Sequence, residues 1–186
     1  MKMTEFGRRV SPLRGCLVVL FVLMGLRFWV PNPQLSSALG WLLLITGLAM
    51  RCWGVGGWYP RRLLTYAPEH LITRDGPYAY TRNPCYLGDL LLGWGICQIA
   101  GLQMGLQLYA PFWAALYGPV IAHEEQMLSQ RYGSDYANYC RRVPRFFGLG
   151  GPALRPQLLP LRWDSALCLE AYSAAGWISL GCFVQC

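Results

Sequence analysis

YLGDLLLGWGICQIAGLQMGLQLYAPFWAALYGPVIA, residues 86–122, carries a single charged side chain, Asp89. It divides at GLQMG (Gly101 to Gly105) into two apolar runs, Tyr86 to Gly101 and Met104 to Ala122. At about 1.5 Å of rise per helical residue, each run reaches roughly 24 to 29 Å, close to the ~30 Å hydrocarbon core of a bilayer. Two spans joined by so short a turn run antiparallel, so their far ends meet on one side. Pro111 and Pro119 are expected to bend the second span.

The rest of the chain agrees with a membrane setting. Of its 186 residues 54% are hydrophobic and only 13% are charged, with a mean hydropathy of +0.28. Soluble domains carry about 25% charged residues. Further apolar runs lie at about Gly15 to Val30, Leu35 to Trp58 and Ala166 to Val184; the last contains Glu170 and is either a span or a surface helix. The run near the N-terminus resembles a signal peptide, but Arg27, Phe28 and Trp29 close it where a small-residue cleavage site would stand, so a retained span is expected. The expected fold is an all-α integral membrane protein, a small bundle of about five transmembrane helices. Three segments follow: a two-span part at 1–58, a core with the helical hairpin at 59–148, and a tail at 149–186.

The net charge of +7 raises the question of nucleic acid. The basic residues, however, fall between the apolar runs. Lys2, Arg8, Arg9 and Arg14 precede the first run; Arg61, Arg62, Arg74 and Arg82 separate the second from the third; Arg131, Arg141, Arg142, Arg145, Arg155 and Arg162 follow the fourth. PNPQ (Pro31 to Gln34) and GLQMG have none. By the positive-inside rule every basic loop, and the N-terminus, is cytoplasmic. This pattern indicates orientation in a bilayer, with no nucleic-acid partner. The eight cysteines form no CxxC pair, and His70 and His123 have no cysteine at ligand spacing, so no metal is expected.

At the cytoplasmic ends of the hairpin lie two polar motifs, GPYAYTRNPCY at the start of one span and HEEQMLSQRYG beyond the other. Asn83 followed by Pro84 reads as a helix N-cap with proline in the first turn, and the N–H groups there can face an anion. Glu124 and Glu125 are neighbours on a helix and point about 100° apart, so one can face the bundle and the other water. An inward carboxylate at that place needs a cationic partner, from an arginine or from a ligand. Asp89, one turn from Tyr86, can order Arg82 or a tyrosine hydroxyl. Arg27 and Arg51 can snorkel. YGSDYANYCRRVPRFFG, aromatic and basic, reads by itself as an interfacial anchor.

Taken together, His70-x-x-x-x-x-Gly-Pro-Tyr, Arg-Asn-Pro-x-Tyr-Leu-Gly, Glu-Glu-x-x-Leu-x-x-x-Tyr-Gly-x-x-Tyr-x-x-Tyr and Val-Pro-Arg-Phe resemble the isoprenylcysteine carboxyl methyltransferase family, with parts shared by phospholipid N-methyltransferases. The likeness runs from about Glu69 to Phe147. It implies S-adenosylmethionine as methyl donor, in a cytoplasmic pocket formed by inter-helix loops, with His70, Leu71, Ile72, Thr73, Tyr78, Asn83, Pro84, Cys85, Tyr86 and Glu124 as cofactor-binding residues. It also implies a lipophilic methyl acceptor, with methylation of a carboxylate oxygen first in view. A phospholipid amine acceptor, an NADPH-dependent membrane reductase and a non-enzymatic membrane protein are the alternatives. If the acceptor needs a general base, Glu125 and His123 are the candidates. Asn83 stands where the family has a histidine, and Val120 where its eukaryotic members have an arginine.

Overall fold

A computed structural model describes residues 37–63 and 76–146, together with a few helical positions between 17 and 25. Most of the expected first span, and all of the expected last one, lie outside the described residues. Three helices dominate: α1 (Ser37–Leu63), α2 (Pro84–Ile99) and α3 (Gln103–Arg142), with a short 3-10 turn at Gly76–Ala79 before α2. No strand occurs among the described residues.

The hairpin of α2 and α3 is tighter than GLQMG suggested. Its turn is Ala100 to Leu102, and Gly105 already lies inside α3. Gly101 takes φ 67°, a left-handed value that glycine reaches without penalty. Its N–H donates to Gln98 O at 3.2 Å, and the Leu102 N–H reaches back to Cys97 O at 2.9 Å. These two bonds define a Schellman cap, which satisfies carbonyls that the helix end would leave open. Leu102 and Cys97 pack into one buried cluster, the apolar contact that accompanies such a cap. Along the hairpin, Tyr109 of α3 lies against Gly93, where any Cβ would collide with its ring, and donates its hydroxyl to Asp89 O at 3.1 Å.

α1 runs antiparallel to α2 along a seam of glycines. Gly40, Gly47 and Gly54 recur every seven residues on α1, as do Gly88 and Gly95 on α2. A Cβ on Gly47 would sit 2.8 Å from Gly88 O, and one on Gly95 would sit 2.8 Å from Gly40 O. Main chains therefore meet directly, as small residues allow in membrane helix pairs. Arg51 and Asp89 form an ion pair across the same seam, with side chains 19% and 11% exposed. Arg51 pairs with Asp89 and does not snorkel away, and Arg82 goes to Glu125 and Cys140 and not to Asp89; a tyrosine hydroxyl, that of Tyr109, does reach Asp89, at its main-chain oxygen. A carboxylate at that depth takes the nearest cation, because leaving either charge unpaired costs several kcal/mol.

α1 holds the candidate membrane span, Ser37–Val55. Only 22% of it is buried by the rest of the protein, and Leu39, Leu42 and Ile45 are exposed. An apolar helix at the centre of a soluble core would be covered; this one presents an apolar face suited to lipid. α3 carries Pro111 and Pro119 with helical dihedrals, and the residue that departs from them is Gly133, at φ 49° and ψ −120°. The interruption of helical dihedrals thus falls at a glycine beyond the apolar run. From Gln103 to Gly133 the helix rises roughly 45 Å, more than a bilayer core, so its outer turns stand clear of hydrocarbon.

Candidate functional site

Glu124 lies about 32 Å up α3 from the turn, near the level where a hydrocarbon core would end. Side chains on a helix lean toward its N-terminus. Tyr86, at the start of α2, therefore leans outward, while Glu124 leans back toward the bundle. They meet: the Tyr86 hydroxyl donates to Glu124 Oε1 at 2.6 Å. The ring of Tyr86 meets that of Tyr117 edge to face, with centroids 5.4 Å apart. Tyr117 stacks on Trp113 at 5.4 Å, and Trp113 in turn meets Phe146. A partly buried carboxylate thus stands above a layer of aromatic rings.

Glu125 does not face water. Both its oxygens accept from Arg145 Nε, at 3.2 and 3.1 Å, and Arg145 Nη2 reinforces the pair. Arg82 Nη1 approaches Oε1 at 3.4 Å. The Glu125 side chain is 14% exposed. Its hydrogen bonds hold the Arg145 guanidinium above the ordinary arginine range. The neighbouring carboxylates are therefore unlike: two arginines neutralise Glu125, whereas Glu124 meets the neutral phenol of Tyr86 and, among the described residues, no cation.

The chain from Gly133 to Phe146 is more than an interfacial anchor. It folds back over the start of α2, with Tyr136, Tyr139 and Val143 forming a buried cluster. The Tyr139 hydroxyl donates to Tyr78 O at 2.8 Å. Arg82 N–H donates to Pro144 O at 2.9 Å, and Arg145 O accepts from Thr81 Oγ1 at 3.2 Å and from Asn83 Nδ2 at 3.1 Å. Arg82 Nη1 also reaches Cys140 Sγ at 2.7 Å. Burial raises the Tyr78, Tyr136 and Tyr139 phenols above their ordinary range, since a phenolate there would lose its hydration.

Of the residues expected to hold a cofactor, Tyr78, Asn83, Pro84, Cys85, Tyr86 and Glu124 are gathered at this tip. His70, Leu71, Ile72 and Thr73 lie outside the described residues. Pro84 does open α2, but the side chain of Asn83 makes no capping bond to it; its amide goes to Arg145 O instead. The Tyr78 hydroxyl lies 3.9 Å from Cys85 Sγ, and the missing side chain of Gly54 makes room for that sulfur. His123 is half-buried. Arg145, Tyr117 and Trp113 received no role from the sequence. The Val-Pro-Arg-Phe motif was the available signal for Arg145; Trp113 and Tyr117 read as ordinary apolar span.

A glycine-seamed helical fold with an apolar, lipid-suited face and a carboxylate–aromatic cluster at its helix tips is compatible with a membrane-bound methyltransferase, and the comparison with known families supplies the class. The chain is a member of the phospholipid methyltransferase family, whose profile matches residues 35–135. Members of that family draw the methyl group from S-adenosylmethionine. Among curated proteins, the chain is 30% identical over 76 residues to protein-S-isoprenylcysteine O-methyltransferase of Schizosaccharomyces pombe, covering 41% of this chain and 32% of that protein. It is 28% identical over 134 residues to the cobalt-zinc-cadmium resistance protein CzcN of Cupriavidus metallidurans, covering 70% of this chain and 60% of that one. A third relative is the mouse Delta(14)-sterol reductase TM7SF2, 36% identical over 77 residues, 38% of this chain and 17% of the reductase. The aligned part is thus between 17% and 60% of the length of these relatives. No solved structure matches.

Proposed function

We propose that the chain is an integral membrane methyltransferase that transfers the methyl group of S-adenosylmethionine to a carboxylate oxygen of a lipophilic acceptor. The carrying observation is the contrast between the two glutamates. Among the described residues the Glu124 carboxylate meets the Tyr86 hydroxyl and no cation, beside the rings of Tyr86 and Tyr117, and that combination suits a ligand with an ammonium and a sulfonium. The start of α2 suits the ligand's carboxylate. When bound, the cofactor supplies an already activated methyl group, so the protein's task is to orient, to exclude water and to stabilise charge.

The second observation bears on the acceptor. Glu125, a candidate base in the sequence, is engaged by Arg145 and Arg82, an arrangement that favours a reaction with no need of a base there. A carboxylate acceptor is ionised at neutral pH and needs no base, whereas an amine or thiol acceptor does. His123 is the remaining candidate for such chemistry. The proposed frame is a multi-pass bundle of about five spans, with the N-terminus and site on the cytoplasmic side of a bacterial inner membrane. The acceptor enters from the bilayer and the cofactor from the cytosol.

Membranes carrying the protein, incubated with methyl-labelled S-adenosylmethionine and extracted for mass spectrometry, test this reading. A base-labile labelled ester is expected. Label in a base-stable headgroup amine would establish the phospholipid N-methylation that the family profile suggests as the second reading. Thermal protection by NADPH but not by the adenosyl cofactor would overturn both in favour of a reductase.

A further inference from the structure

We propose that Arg145 is a positioning residue of this site, fixing the start of α2 against Glu124 without touching the ligand. The inference rests on the reading of the tip as a methyl-donor site. Arg145 is used at both ends. Its guanidinium grips Glu125 on α3, and its carbonyl receives Thr81 and Asn83 just ahead of α2. The preceding carbonyl, Pro144 O, receives the Arg82 N–H. Three consecutive residues before α2 are therefore tied to two consecutive carbonyls of one extended strap.

The ties close a circuit. Glu125 holds Arg145, Arg145 holds the lead-in to α2, α2 carries Tyr86, and Tyr86 holds Glu124, the neighbour of Glu125. An isolated exposed ion pair contributes little, and the Arg145 side chain is 46% exposed. Here the planar fork spans both carboxylate oxygens, a geometry lysine cannot copy. Its effect passes through main chain that the Tyr139–Tyr78 bond and the Tyr136, Tyr139 and Val143 cluster hold at other points. Displacements of about 1 Å at a site can cost up to ~10²-fold in rate. The same circuit explains the use of Asn83: its amide serves the strap and not the helix cap.

The test uses full-length protein in lipid nanodiscs, with S-adenosylmethionine affinity read by calorimetry for wild type, Arg145→Ala, Arg145→Lys, Glu125→Ala, the double alanine variant, Arg145→Glu and Glu125→Arg singly, and the exchanged pair that combines those two. Arg145→Ala is expected to weaken binding roughly tenfold, equivalent to about 1.4 kcal/mol. Lysine is expected to recover part of the loss, the exchanged pair more than either of its single changes, and the double alanine variant to lose no more than one single change. Equal affinity for wild type and Arg145→Ala would overturn the inference, as would losses that simply add. If Arg145→Ala does not fold, the lysine variant and the exchanged pair carry the same comparison. Wild-type protein that binds no S-adenosylmethionine would instead overturn the methyl-donor reading itself.

Discussion

Glu124 and Glu125 show how little adjacency in sequence says about chemical role. Rotation of about 100° sends one to a phenol and the other to two guanidiniums. Glu124→Gln keeps the shape and removes the charge, and is expected to weaken S-adenosylmethionine binding by about 1.5–3 kcal/mol, the range for a charged hydrogen bond. Unchanged affinity by calorimetry would remove Glu124 from the site. Tyr86→Phe leaves that carboxylate without its donor and is expected to weaken binding less than Glu124→Gln does. Tyr78, Tyr136 and Tyr139 give a pH signature. Their folded-state phenols are raised, so the stability they contribute is present below the ordinary tyrosine value of about 10 and is lost as pH climbs above it. Phenolate absorbance should show these three titrating late, together with loss of the fold at the tip; titration at the ordinary tyrosine value of about 10 would contradict their burial. Glu124 and Tyr86 were legible in the sequence because their motifs carry unusual residue types. The partners of Glu125 were not, since twenty residues separate it from Arg145 and nothing local announces the pairing.

Hydrophobic runs and turn glycines indicated the α2–α3 hairpin before any coordinates, and the Schellman cap shows why it closes at Gly101. The turn itself was placed too late, because Gly105 looks like a turn residue and is a buried position inside α3. The α1–α2 seam was readable in principle. Its glycines recur at seven-residue steps, but they stand among alanine, leucine and tryptophan that mask the period. Gly47→Leu would drive a branched side chain into the Gly88 carbonyl and Leu92 N–H. It is expected to destabilise by at least the ~1–3 kcal/mol typical of overpacking, seen as earlier thermal unfolding in detergent. The buried ion pair gives a complementary experiment. Asp89→Asn removes the ion pair with Arg51 and is expected to lower the thermal unfolding temperature, whereas Arg51→Met with Asp89→Leu should restore much of the loss. A double variant no better than the single one would show that the pair has a role besides charge balance.

In the proposed orientation the end of the bundle with the basic loops faces the cytosol, and the long α3 carries the proposed site past the lipid on that side. Ser129 is exposed on the outer turns of α3, and Met104 is exposed beside the hairpin turn. In oriented vesicles, a membrane-impermeant maleimide is expected to add label to Ser129→Cys only from the cytoplasmic face, and to Met104→Cys only from the other; matched labelling from one face would refute the hairpin's orientation. The closeness of α1 to α2 also bears on the route open to the proposed lipophilic acceptor. Main-chain atoms of the two helices approach closely at Gly40, Gly47 and Gly54, so a hydrocarbon tail does not pass between them at those levels. For the proposed acceptor, entry is therefore expected beside α3, a one-sided route.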